Sequence, residues 1–334
     1  MGNPPVMKNN KDEMPVQWDP RKLKSPSRNL LKLELGGFGG GVHFEIPFHA
    51  LVGKVRKPQV LLIAGVHGDE YEGVAALQDV AQEIDPRNLT GTVIIVPVAN
   101  PQAFYVGTRR NPVDGGDLNR SFPGDTNGTM CERLAHLVFQ NLVLGSDAVL
   151  SMHCWSREAT VIPYVEYPAG RTKAKLRSFS IARNLGVEFL HPYDWHPGLL
   201  VASAVNRGIP SVEAEVGGMG TVTKSGQRIS YSIIHSFLSH LKLVDTCIAP
   251  AEPSDANSKI IGHADCLSSH AGLFRSCVNA GDSVERVQLV GTIHDLAGRC
   301  LEEVWSPERG KVAILRTFAS VQPGDLLIQV FEEV

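Results

Sequence analysis

The chain has 334 residues, 43% of them hydrophobic and 20% charged, with a net charge of −3 at pH 7. This is the balance of a soluble globular protein, long enough for one large domain and a small one. No block of Lys and Arg stands out, so nucleic acid and anionic membrane lack electrostatic support as partners, and no apolar run approaches the ~20 residues of a membrane span.

Residues 1–28 read as a loosely ordered arm. The opening MGNPPVMKNNKDEMPVQWDP is polar and Pro-rich with no apolar h-region, which points to a cytoplasmic setting. Two β-like stretches follow, NLLKLEL and GVHFEIPFHALVG. Strand-like apolar runs at 59–66, 92–99, 147–152, 187–190 and 211–216 then alternate with helix candidates near 70–84, 129–143, 171–184, 198–207 and 224–243. Short, nearly continuous apolar strands alternating with helices predict an α/β domain over 29–246, with a mostly parallel central sheet covered on both faces. The Pro-, Ala- and Ser-rich segment 247–258 reads as a linker. Beyond it, 259–334 carries short strands with Gly-Asp turns. The echo between NAGDSVERVQLVGTI and QPGDLLIQVF predicts two similar halves of a small all-β barrel or sandwich. Six cysteines are too sparse for a disulfide scaffold and form no C-x-x-C pair, which fits a reducing compartment. Cys154, beside a candidate site residue, reads as packing rather than as a nucleophile.

The stretch LLIAGVHGDEYEG (61–73) ends a buried strand in a glycine-permitted turn and then places His67 and Glu70 three residues apart. H-x-x-E alone is equally the acidic first turn of a helix. In open α/β sheets, however, sites lie beyond the carboxyl ends of the strands, and two more strand ends carry the same kind of chemistry. The run 147–152 leads into His153, and SVEAEVGG ends with Glu213 and Glu215, which share a face by the period of two. Glu215, beside the glycines, lies nearer the open end. Two His and one Glu are a common catalytic zinc set with a position left for water. The residues therefore predict Zn²⁺ held by His67, Glu70 and His153, and Glu215 as the group that takes a proton from water and returns it to the leaving group. The reaction would be hydrolysis of an acyl bond.

Between the second of these strands and the next helix lies the loop 100–124, with Arg109, Arg110, Asp117, Asn119 and Arg120. An Arg fork with an Asn amide suits capture of a substrate carboxylate, and a second Arg suits a developing oxyanion. The alternative is a solvated basic loop paired with Asp114, Asp117 and Asp125.

Taken together, GVHGDEYEG (65–73), NPQAF (100–104), TRR (108–110), DLNRSFPG (117–124), SMHC (151–154) and EAEVGG (213–218) resemble the succinylglutamate desuccinylase/aspartoacylase family, a branch of the zinc carboxypeptidase-like hydrolases. The motifs cover most of 59–218 in the family's order. The resemblance implies zinc ligation by His67, Glu70 and His153, Glu215 as general base and acid, Arg109 as the carbonyl-polarising arginine with Arg110 as its rival, and Asn119 with Arg120 as the carboxylate clamp. The loop between Arg109 and Asp117 is similar to that of the branch that deacetylates N-acetylated diamino acids. After His153, though, this chain reads CWSRE where that branch more often has Ser-Gly-Gly. The β tail resembles the family's second domain, which narrows access to the site, and also a biotinyl/lipoyl-type barrel-sandwich, although SPERGK has no Met-Lys to modify. His270 and Phe274 are candidates to reach the catalytic mouth.

The expectation is a cytoplasmic zinc-dependent amidohydrolase, one zinc per chain, acting on a small N-acyl amino acid with a free carboxylate. A homo-oligomer is compatible with it. A metallocarboxypeptidase acting on peptides shares the metal and the clamp but needs an open cleft. A non-catalytic sensor of acylated metabolites would predict a broken ligand set.

Overall fold

Full burial of five consecutive residues in each of two strands, β3 (Gln59–Ile63) and β4 (Thr92–Val96), marks the centre of the molecule. The computed structural model describes residues 18–36, 44–193, 196–244 and 258–333. Most of the predicted arm, the linker up to residue 257 and Cys247 lie outside them. No helix among the described residues is long and apolar enough to cross a membrane.

The central strands pair in parallel: β3 with β4 and with β5 (Ala148–His153), and β5 with β8 (Ser211–Gly218). β1 (Ser27–Leu35) and β2 (Phe44–Val52) add an antiparallel edge beyond β4. One face of the sheet packs Leu62, Leu150 and Val212 against α1 (Glu72–Glu83) and α6 (Lys224–His240). The other packs Leu61, Ile94 and Val149 against α3 (Met130–Val138) and α5 (Leu200–Asn206). Apolar side chains alternate between these two cores because successive residues of a strand point to opposite faces. The ends of α1 and α6 are tied by one buried acid. Glu72 accepts hydrogen bonds from the Thr223 amide (3.0 Å) and hydroxyl (2.8 Å), while the same hydroxyl caps α6 by accepting from the Gly226 amide (3.0 Å).

The sheet is mixed rather than mostly parallel, which corrects the sequence-based expectation. One cause is the antiparallel β1–β2 edge, and another is β6 (Ala159–Pro168), a strand absent from the predicted set, which runs antiparallel to β8 and then parallel to β7 (Phe189–Tyr193). Its alternation is broken by Pro163 and by a register shift between Val161 and Tyr164, so no period of two announces it.

Past β7 the sheet continues into the C-terminal segment through β9 (Lys259–Leu267), β16 (Leu326–Glu333) and β14 (Gly310–Arg316). β14 pairs back onto β6, with Arg316 opposite Ala159. The five strands β6, β7, β9, β16 and β14 thus close a barrel around Tyr164, Phe189, Ile261, Ile314 and Phe331. A second sheet of four strands contains β10 (Gly272–Ser276), β12 (Leu289–His294), β13 (Cys300–Trp305) and β15 (Ser320–Val321), and Phe274, Val290 and Ile293 lie in the core packed against β14 and β16. The sequence echo is a repeated turn. The Asn279 amide donates to Asp282 (2.7 Å) and the Gln322 amide to Asp325 (2.8 Å), with left-handed Gly281 (φ 94°) and Gly324 (φ 89°) inside the two turns.

One helix residue has a consequence for stability. His235 of α6 is buried at 6% exposure, and neither ring nitrogen has a hydrogen-bond partner among the described residues. Burial holds its pKa below the ordinary value of 6.5, as it does for His49 and His240. The unfolded chain therefore takes up protons at these sites before the folded one, so stability falls as pH drops through about 6.5. His235→Leu should remove part of that loss, so its melting temperature should fall less between pH 7 and 5 than that of the wild type. An unchanged slope would contradict the burial assignment.

Candidate active site

The turn after β3 is stitched to the turn after β4. The Ala64 amide donates to the Val96 carbonyl (2.9 Å), and the Asn100 amide to the Gly65 carbonyl (2.9 Å). Gly68 lets the short helix α2 (Pro101–Val106) press in, since a Cβ there would lie 2.0 Å from the Ala103 carbonyl carbon. Fully buried Asn100 caps α2 and accepts from the buried Asn111 amide group (3.1 Å), which anchors the following loop over the end of β3. Neither Asn was singled out from sequence. The NP that opens the α2 segment, an N-cap followed by Pro, is the signal that could have marked Asn100.

This stitching brings His67 and Glu70 beside His153, the last residue of β5. His67 Nδ1 lies 2.6 Å from Glu70 Oε1, and His153 Nδ1 lies 2.8 Å from Glu70 Oε2. All three side chains are buried, and their ligand atoms lie within 4.8 Å of one another. The opposite nitrogens are tied elsewhere. His67 Nε2 is 3.2 Å from Asp117 Oδ1, and His153 Nε2 is 2.9 Å from the Ser151 hydroxyl. Asp117 was noted in the loop but given no role; it also accepts from the Asn119 amide (2.9 Å) and so joins the loop to the histidine.

Burial opposes the charge on Glu70, yet the two imidazoles hold its carboxyl well below the usual range. Burial also works against protonation of His153, but the Glu213 and Glu70 carboxylates push it up to about 10. The cluster is a place that demands positive charge. Two inward nitrogens, one buried carboxylate and outer partners on both remaining nitrogens fit the donor set and supporting shell of a zinc site.

Glu215 stands opposite His153 in the β5–β8 register, and Glu213 opposite Ser151. Each has one buried carboxylate oxygen without a hydrogen-bond partner among the described residues. Burial and then the charge of Glu70 raise Glu215 well above the ordinary carboxylate range. A second group of potential ligands, His153 with Glu213 and Glu215, shares one histidine with the first. In it His153 Nε2 lies 3.6 Å from Glu213 Oε1, against 2.6 and 2.8 Å within the His67–Glu70–His153 set, which is the tighter one.

Arg109 reaches into the site, with Nη1 3.2 Å from Glu70 and Nε 3.6 Å from Asp117. Arg110 is exposed and donates to the Gly115 carbonyl (3.2 Å). Asn119 is 1% exposed, accepts from the Leu200 amide (3.0 Å) and reaches Glu213 at 3.5 Å. Arg120 donates to the Asn119 carbonyl (2.8 Å) and has no ion-pair partner among the described residues. Arg109, Asn119 and Arg120, but not Arg110, line a cavity of about 440 Å³ together with His67, Glu70, Glu213 and Glu215, and its further wall is Arg316, Gly324, Asp325 and Leu326 from the C-terminal segment. His270 and Phe274 do not line it. His270 pairs with Glu302 on the surface (3.1 Å), and Phe274 is buried in the sandwich core. Cys154 borders the cavity at 1% exposure, its thiol pKa raised by burial.

The family model of the succinylglutamate desuccinylase/aspartoacylase catalytic domain matches residues 56–241. An N-alpha-acetyl-L-2,4-diaminobutyric acid deacetylase from Halomonas elongata is 34% identical over 283 residues, 83% of each chain. A succinylglutamate desuccinylase/aspartoacylase structure from Rhodobacter sphaeroides is 28% identical, with a TM-score of 0.82 over 92% of this chain and 96% of the other. The product-bound ectoine utilization protein of Ruegeria pomeroyi has the same fold, with a TM-score of 0.85 at 24% identity over 96% and 97% of the two chains.

The close approach at Gly68 is directly testable. Gly68→Ala should destabilise the protein by about 1–3 kcal/mol, because backbone rather than a movable side chain blocks the new methyl. Urea unfolding would measure it, and an unchanged midpoint would contradict the packing described.

Proposed function

Because the chain belongs to the succinylglutamate desuccinylase/aspartoacylase family, we propose that it is a zinc-dependent hydrolase that removes an acyl group from a small N-acyl amino acid bearing a free carboxylate. The observation that carries this reading is the pair of buried histidines whose Nδ1 atoms both face Glu70 while their Nε2 atoms are held by Asp117 and Ser151. His67, Glu70 and His153 would hold the ion. Zinc bound there supplies a Lewis acid for the acyl carbonyl and lowers the pKa of water toward ~7.

The chain's own residues divide the remaining work. Glu215, in register beside His153, receives the proton of the attacking water. It then delivers that proton to the amine nitrogen as the C–N bond breaks. Its unpartnered buried oxygen supports that role. Arg109, whose guanidinium lies against Glu70, stands where it can stabilise charge developing on the carbonyl oxygen. Arg120, a lining arginine with no ion-pair partner among the described residues, takes the substrate carboxylate, aided by Asn119.

The Halomonas relative's name describes deacetylation of an amino acid, which supports amide hydrolysis here. The C-terminal wall of the cavity disfavours a peptide-cleaving carboxypeptidase, which needs an open cleft, because Arg316, Gly324, Asp325 and Leu326 bound the cavity on that side.

Amine release from a panel of N-acyl amino acids, with and without chelator, tests the reading. Chelator-sensitive hydrolysis of at least one member is expected. Metal-independent turnover, or silence across the panel with zinc bound, would overturn it. Glu215→Gln should retain zinc and lose about 100- to 10,000-fold in kcat; near-normal turnover would remove Glu215 from the proton path. Arg120→Ala should raise KM by about 10- to 100-fold, and an unchanged KM would end the clamp assignment.

A further inference from the structure

Glu166 of β6 lies between two strands that matter to the cavity. Its register partners are Glu213 on β8 and His191 on β7. It lines the cavity with Glu213 and Glu215, its side chain 16% exposed. No Arg or Lys among the described residues pairs with it. Arg109 is engaged by Glu70 and Asp117, and Arg316 by Asp325 at 3.1 Å. Among the described residues its one ionic partner is His191, with Nδ1 3.2 Å from Glu166 Oε1.

His191 is itself held. Its Nε2 lies 3.0 Å from His263 Nδ1 on β9, and its ring is wedged among Tyr164, Tyr193 and Phe331. Carboxylate, imidazole and imidazole thus form a line from the cavity wall into the barrel, which fixes the orientation of Glu166 and spends only one of its oxygens. Tyr193 also lines the cavity, its ring packed against that of His191. A carboxylate and an aromatic ring together suit an ammonium group, while the substrate's own carboxylate is taken by Arg120.

Resting on the deacylase reading of this same site, we propose that Glu166, oriented by His191 and His263, selects substrates that carry a second, positively charged amino group. The substrate class is then N-acyl diamino monocarboxylic acids. Acidic side chains are rejected, since they would meet Glu166, Glu213 and Glu215 together. The substrate named for the Halomonas relative carries such an amine.

The test compares 2,4-diaminobutyrate with norvaline, which replaces the terminal ammonium by a methyl group, as ligands of the zinc-loaded protein by calorimetry. The wild type should prefer the diamino acid by about 10- to 100-fold. Glu166→Gln should abolish that preference and leave norvaline affinity unchanged, which also reports an intact fold. His191→Phe should weaken the preference without altering norvaline binding. A wild type that binds both equally, or a Glu166→Gln protein that keeps the preference, overturns the inference. An intact preference in a protein that hydrolyses no N-acyl amino acid would instead overturn the deacylase reading and leave the role of Glu166 standing.

Discussion

A single buried carboxylate organises the functional half of this protein. Glu70 sits in the interior with an imidazole nitrogen 2.6 Å from one oxygen and another 2.8 Å from the other. A carboxylate removed from water is costly unless positive charge or hydrogen-bond donors surround it. Much of the nearby sequence meets that demand. Gly68 and the Asn100–Asn111 pair fold the loop so that His67 and Arg109 arrive from one side. The parallel register of β5 with β8 brings His153 and Glu215 from the other. A cluster of this kind in a cavity is where a divalent cation and proton transfer are best accommodated.

The second organising feature is the closure of β14 onto β6. It makes the C-terminal segment part of the cavity rather than an appendage. β6 carries Glu166 and Tyr164 on the cavity side, and the ends of β14 and β16 contribute Arg316 and Leu326. The same closure places His263 of β9 against His191. Substrate recognition in this account therefore draws on both halves of the chain, whereas the proposed metal ligands come from the first half alone.

Legibility in the sequence followed periodicity. β3, β4 and β5 are nearly continuous apolar runs, β8 alternates its two glutamates with apolar residues, and the three groups now found together at Glu70 lie at or just beyond the carboxyl ends of β3 and β5. A strand end is a place that sequence can mark, so His67, Glu70, His153 and Glu215 could be singled out. Asp117, Asn100 and Asn111 act through loop geometry, which has no period, and went without a role. β6 escaped because Pro163 and the shift after Val161 break its alternation, and Glu166 escaped with it. The mixed character of the sheet went unforeseen partly for the same reason and partly because β1, β2, β16 and β14 pair antiparallel within it. His270 and Phe274 were misplaced because sequence cannot say which of two sheets a short strand joins. β10 joined the four-stranded sheet, so the C-terminal wall came from the Gly324 turn and the end of β14 instead.

The account turns on where a metal ion binds. Crystals grown with one equivalent of zinc, with data collected on both sides of the zinc absorption edge, would locate it. The account predicts one anomalous peak per chain, bounded by His67 Nδ1, the Glu70 carboxylate and His153 Nδ1. A peak centred on Glu213 and Glu215, or a protein that binds no zinc at these residues, would contradict it.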